Sequence, residues 1–295
     1  MMEGDSQSLS SVGSDLNLLG SATYEFQHQD IHSSCPEKII ICVDLAQEVE
    51  TIPVKSQSKG TSVSLLTCLK NALRLFVYNK TLMNSEHEFA LVVLTSEANW
   101  FCNFNSDPAL VCQAINDLEA VQENFESFGK PPYIIGLLVQ SLLIIDRHSI
   151  TVLYHYTIAL LVLSLLLDFV SNYENCPPPP VPESPLLSPP YVVRTILIYT
   201  RSHSMPVYRG DPAAHDALTM SPYFFLDVLY AHEPPGISNM CEGIFDILAE
   251  MYPLPKALVL DWSHNITLLF NCFAKLLAHP LQRPVQIKMD HKLDS

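Results

Sequence analysis

No stretch leaves this chain less freedom than residues 35–45, CPEKIIICVDL. Pro36 and the pair Glu37-Lys38 lead into Ile39-Ile40-Ile41-Cys42-Val43, a continuous apolar run rich in β-branched side chains. A run of that length without alternation predicts a strand buried on both faces, as in a parallel sheet covered by helices. Asp44 stands at its end. An acid at the carboxyl end of the first strand of such a sheet lies where open α/β sheets bind their ligands.

The rest of the chain supplies the partners such a strand needs. Residues 46–61 read as a polar loop with Pro53 and Gly60. Over 62–80 the apolar residues Val63, Leu66, Leu69, Leu73, Phe76 and Val77 recur mostly three and four apart, which predicts an amphipathic helix. FALVVLT, within 86–95, is a second buried strand, and 100–104 either extends the sheet or covers its edge. Asp107-Pro108 is a strong helix start, an N-cap acid followed by proline at the first helical position. The inner face of that helix is expected to carry Leu110, Val111, Ala114, Ile115, Leu118 and Val121. Farther on, YVVRTILIYT (191–200) and YFFLDVLY (223–230) read as strands, with a loop between them. A helix over 240–251, with Ile244, Phe245 and Leu248 inward, a short strand over 257–260 and a last helix over 266–278 follow. Alternating strands and helices predict a layered α/β domain with a mostly parallel central sheet.

Three stretches fall outside this pattern. Residues 1–34 are rich in Ser, Gly, Asp, Asn and Gln and too poor in large apolar side chains to offset the entropy of ordering; they read as a disordered tail. Residues 131–175 form an atypical apolar insertion, broken by Asp146-Arg147-His148-Ser149. Its 150–167 run reaches the lower bound for a membrane span, but its flanks lack a strong Lys/Arg asymmetry. It reads as buried helix, as a segment foreign to the domain, or as a membrane helix. Residues 176–190, CPPPPVPESPLLSPP, are a proline-rich linker, extended and semi-rigid. The domain thus spans 35–285, and 286–295 is a polar tail.

Charge and cysteine content narrow the function. With 16 basic against 31 acidic residues, net −15, the chain lacks the basic stripe that nucleic-acid binding requires. The eight cysteines are scattered without a C-x-x-C pair, which argues against a metal cluster or disulfide framework and for a reducing compartment. No basic region followed by an apolar stretch marks a signal peptide at the start. No nucleophile elbow, P-loop or dinucleotide fingerprint is present, and the histidines form no recognisable ligand set, so neither an enzyme nor a cofactor is expected.

The buried first strand ending in Asp44 suggests a von Willebrand factor A-type domain. In working members of that class the aspartate opens an Asp-x-Ser-x-Ser site whose hydroxyls and waters complete an octahedral Mg²⁺ shell. Here the stretch is Asp44-Leu45-Ala46-Gln47-Glu48, with Ala46 and Glu48 where the serines would stand. A degenerate metal site is expected, with Asp44 satisfying loop amides instead.

Taken together and in order, CPEKIIICVDL, HEFALVVL with Trp100, SDPALVCQAINDLE, PPYVVRTILIYTR, SPYFFLDVLY and CFAKLLAHPLQRP resemble the von Willebrand factor A-like scaffold (MERIT) subunits of the BRISC and BRCA-A deubiquitinase complexes. The resemblance covers roughly 35–125 and 188–285; the 131–175 block departs from it, since family members carry a shorter, more polar stretch there. It implies a non-catalytic adaptor, cytoplasmic and nuclear, in an assembly whose JAMM-type zinc deubiquitinase cleaves ubiquitin chains of the non-degradative, signalling linkage. It also implies a ubiquitin-conjugating-enzyme-like partner subunit and a part in the DNA damage response. The expected contact is the segment after the last helix, His279, Pro280, Leu281, Gln282, Arg283 and Pro284. Its prolines favour an extended peptide, and Arg283 offers a planar donor fork. The alternatives are a metal-dependent ligand-binding domain of the same fold, or a protein anchored in a membrane through residues 150–170.

Overall fold

The computed structural model describes residues 35–55, 62–95, 98–120, 180, 189–206, 220–250 and 257–284. The insertion 131–175, the tail 1–34 and the end 286–295 lie outside these residues, as does nearly all of the linker 176–190.

A six-stranded sheet organises the described chain. Its strands are β1 (Glu37–Asp44), β4 (Glu88–Leu94), β5 (Ala98–Asn105), β6 (Val192–Tyr199), β7 (Phe224–His232) and β8 (Val259–Ser263). They lie in the order β5-β4-β1-β6-β7-β8. Every pairing is parallel except that of β4 with the edge strand β5. Residues 100–104 therefore extend the sheet. β1 sits between β4 and β6, and its Ile39, Ile40, Ile41, Cys42 and Val43 are all wholly buried.

The alternation of β1 divides the core. Ile39, Ile41 and Val43 face a layer with α2 (Leu65–Met83), α3 (Pro108–Asn116) and α5 (Ile266–Leu276). Ile40 and Cys42 face the other layer, which includes α4 (Cys241–Glu250), Trp100 and Phe104. Full burial of each such aliphatic side chain stabilises by about 1.5–3 kcal/mol, so β1 alone anchors both layers.

The helix starts follow local chemistry. Ser64 accepts from Thr67 N–H and caps α2, Asp107 accepts from Ala109 N–H before Pro108 of α3, and Asn265 accepts from Thr267 N–H before α5. These side chains satisfy amides that the first helical turn leaves without partners.

Two expectations need correction. Residues 46–61 are not loop throughout: α1 (Glu48–Thr51) and a two-stranded antiparallel pair, β2 (Pro53–Lys55) with β3 (Ser62–Ser64), are built there. Val49, Ile52 and Val54 drive it by burying themselves under α2, too sparsely spaced to show a periodicity. On α3, Val111 and Ile115 are buried but Leu110 is half exposed, because the helix packs against the sheet along a narrower stripe than the spacing implied.

Candidate functional site: the two ends of the central strand

The strand order reverses at β1, with β4 and β5 on one side and β6, β7 and β8 on the other. The crevice outside the carboxyl ends of β1 and β6 is therefore the switch point, where open α/β sheets bind ligands. Asp44 is there, and it is wholly buried. Its Oδ1 accepts from Ala46 N–H at 3.3 Å and its Oδ2 from Thr200 N–H at 3.3 Å. The Thr200 hydroxyl donates to the Asp44 carbonyl at 3.2 Å. The sequence also places a second acid here: Glu48, at the start of α1, accepts from Ser202 N–H at 2.6 Å. Burial pushes the Glu48 carboxyl above the usual carboxylate range, against the pull of the Ser202 amide.

The crevice is filled by a residue the sequence reading did not single out. Arg201, two residues past β6 and nearly wholly buried, lays its guanidinium on the Asp44 carboxylate. Nε lies 3.2 Å from Oδ1 and 3.1 Å from Oδ2, and Nη2 lies 3.1 Å from Oδ1. Nη2 also donates to the Thr95 carbonyl at 2.9 Å, past the end of β4. Tyr230 Oη donates to the Arg201 carbonyl at 3.1 Å, and Tyr199 Oη donates to that of Ser204 at 2.6 Å. The loop after β6 is thus braced from β6 and β7. A divalent cation needs oxygen ligands around an open position. With a guanidinium on both Asp44 oxygens and Ala46 and Glu48 at the serine positions, this donor set does not fit one. Among the described residues no group of three or more His, Cys, Asp or Glu is arranged to hold a metal ion.

The opposite end of β1 carries a larger cluster. Glu37 is wholly buried. One of its carboxylate oxygens pairs with Lys80 on the inner face of α2, and the other accepts from Arg194 Nη1 at 3.0 Å. Arg194 Nε donates to Asp227 Oδ2 at 2.8 Å. Burial alone would raise the Glu37 carboxyl; Arg194 and Lys80 outweigh it and hold it down at about 2. The same contest, won by Arg194 and Arg283, lowers Asp227. His87 Nδ1 accepts from Glu37 N–H at 2.8 Å, and His279 Nδ1 accepts from Leu281 N–H at 3.2 Å. Burial lowers both imidazoles from 6.5 to about 4, with the Lys80 charge adding to it and the Glu37 carboxylate opposing it.

This cluster holds the segment expected to meet a partner. Arg283 forms a two-pronged pair with Asp227, Nη1 to Oδ2 at 2.8 Å and Nη2 to Oδ1 at 2.5 Å. Leu281 packs against the small apolar group of Cys35, Val192, Tyr223 and Phe225. The backbone is not extended, as its two prolines suggested. It turns, with Gln282 and Arg283 N–H both donating to the His279 carbonyl. The ion pair on one side and Leu281 on the other pull the peptide back onto the sheet. His279 and Pro280 are buried, whereas Gln282 and Pro284 are exposed.

A central, mostly parallel sheet covered on both faces, with one antiparallel edge and an aspartate at its switch point, is a layered α/β domain, the architecture that the resemblance to von Willebrand factor A-type domains implies. Comparison with known proteins narrows this. The chain is 34% identical over 270 residues to BRISC and BRCA1-A complex member 1 of Xenopus laevis, covering 90% of this chain and 70% of that one. It is 29% identical over 308 residues to the protein of the same name from Homo sapiens, covering 99% and 81%. The chain belongs to the BRISC and BRCA1-A complex member 1 family. No family model matches it. Among solved structures it is similar to a von Willebrand factor type A protein from Catenulispora acidiphila, with a TM-score of 0.45, 12% identity, and coverage of 84% of this chain and 43% of that one.

Proposed function

We propose that the chain is a non-catalytic scaffold subunit of BRISC- and BRCA1-A-type assemblies. In this reading it holds together a complex whose JAMM-type zinc deubiquitinase cleaves non-degradative, signalling-type ubiquitin chains. It acts in the cytoplasm and the nucleus and supports DNA repair. A ubiquitin-conjugating-enzyme-like subunit is its direct partner, with the segment 279–284 as contact.

The observation that carries the reading is the closed switch point. Where this class of sheet receives ligands, Arg201 is already seated on Asp44. A subunit so built works through its outer surface. The exposed side chains of the contact segment are Gln282 and Pro284, while Arg283 serves by holding the turn in place through Asp227. The division of the chain into a tail (1–34), a domain (35–285) with its insertion (131–175) and linker (176–190), and an end (286–295) belongs to the same proposal. No helix among the described residues is long and apolar enough to cross a membrane.

The test is co-expression of the full chain with the zinc deubiquitinase and the ubiquitin-conjugating-like subunit, followed by size-exclusion chromatography and a chain-cleavage assay. One stoichiometric complex, with cleavage lost when the zinc subunit's metal is removed and the assembly weakened when this chain is omitted, is expected. Cleavage by this chain alone, or elution apart from both subunits, would sink the proposal.

A further inference from the structure

We propose that Arg201 is a resident cation: its guanidinium takes the place of a divalent ion at the switch point, so that this end of the sheet keeps its shape without metal. The inference rests on the geometry around Asp44, the same observation that carries the scaffold reading, but its test reads metal dependence rather than assembly of a complex.

The arrangement has the features a bound cation would need. Its anion, Asp44, has no exposed surface, and a buried carboxylate requires a positive partner. The partner reaches both carboxylate oxygens and also takes the Thr95 carbonyl, so one side chain links the ends of β1, β4 and β6 as a central ion would. The hydroxyl of Thr200 and the carboxylate of Glu48 lie within the same group of loops, but both are engaged with backbone, Thr200 on the Asp44 carbonyl and Glu48 on Ser202 N–H. Arginine suits the role better than lysine, because its planar fork matches a carboxylate and it stays charged when buried.

A prediction follows that a purely structural arginine does not make. Removing the guanidinium leaves two acids, Asp44 and Glu48, with the Thr200 hydroxyl in the same group of loops. These are hard oxygen donors of the kind Mg²⁺ and Mn²⁺ accept. Loss of Arg201 should therefore create cation dependence where none existed.

The experiment is thermal unfolding of the full chain and of Arg201→Ala, each in chelator and in millimolar Mg²⁺ or Mn²⁺. The natural chain should melt at the same temperature in all three. Arg201→Ala should melt lower by on the order of 10 °C in chelator and regain several degrees with either ion. Titrating Mn²⁺ into the natural chain, followed by its electron paramagnetic resonance signal, keeps the test decisive if Arg201→Ala does not fold. Free Mn²⁺, or bound Mn²⁺ retained in Asp44→Asn, supports the proposal. Bound Mn²⁺ lost in Asp44→Asn overturns it, as does a metal response of the natural chain's melting or a folded Arg201→Ala with none.

Discussion

Strand β1 begins on one buried acid and ends on another, and the chain neutralises them differently. At the carboxyl end, Asp44 meets one guanidinium, Arg201, and backbone amides complete its shell. At the amino end, Glu37 and Asp227 face Lys80, Arg194 and Arg283, with His87 and His279 beside them. The first arrangement is a closed pair that ties strand ends together. The second is an excess of base over acid, spread over β1, α2, β6, β7 and the segment after α5. With a guanidinium on both Asp44 oxygens, the carboxyl end is neutralised by the chain's own side chain. The amino end, by contrast, fastens a peptide whose outer side remains available.

The sharpest way to separate the ends is to remove one acid from each. Asp227→Ala leaves Arg194 and Arg283 without their shared carboxylate and takes the acceptor from Leu258 N–H. The expected loss is about 5 kcal/mol, read by urea unfolding. Asp44→Ala strands a single cation, Arg201, with the weaker amide contacts from Ala46 and Thr200, and should cost about 3 kcal/mol. Equal losses would mean that the larger network adds nothing beyond a single pair.

Acid sharpens the contrast next. His87 and His279 have folded values lowered from 6.5 to about 4. Below pH 6.5 the unfolded chain takes up protons that the folded chain refuses, so their contribution is complete above pH 6.5 and lost as pH falls toward 4. Glu37, lowered from 4.5 to about 2, contributes above pH 4.5 and loses that contribution as pH falls through about 2. Each displacement corresponds to roughly 3 kcal/mol. Stability measured from pH 7 to pH 4 should fall, and the slope should flatten in a His87→Asn, His279→Asn double variant; an unchanged slope would place the acid-sensitive groups elsewhere. The smallest effect is expected at the rim. The Lys38–Glu88 pair is partly open to solvent, so removing its charge with Lys38→Met should cost no more than about 0.5 kcal/mol and lose that effect in high salt.

Much of this architecture is legible in the sequence, because burial on both faces writes itself as the unbroken runs of β1 and β4 and the mostly apolar runs of β6 and β7. Asp44 is legible for the same reason, as the first polar residue after such a run. Its partner is not: Arg201 lies 157 residues away, and only the pairing of β1 with β6 brings the two together. The amino-end cluster did leave a trace. Arg194 and Asp227 each interrupt an apolar strand, and opposite charges inside two buried strands are a signal that they pair across the sheet. Lys80 likewise follows Phe76 and Val77 at the spacing of the inner face of α2. The turn at 279–283 could not be read from its prolines, because an ion pair with β7 and the packing of Leu281 decide its shape.

One comparison tests the division of labour between the ends most directly. Gln282→Arg with Pro284→Arg changes the exposed side of the amino-end segment, while Glu233→Arg changes the rim of the carboxyl end. Each full-length variant, once shown to melt like the natural chain, is co-expressed with the ubiquitin-conjugating-enzyme-like subunit, and the recovered partner is quantified. The account predicts that the first variant loses the partner at least tenfold and the second retains it. Retention by the first and loss by the second would contradict it.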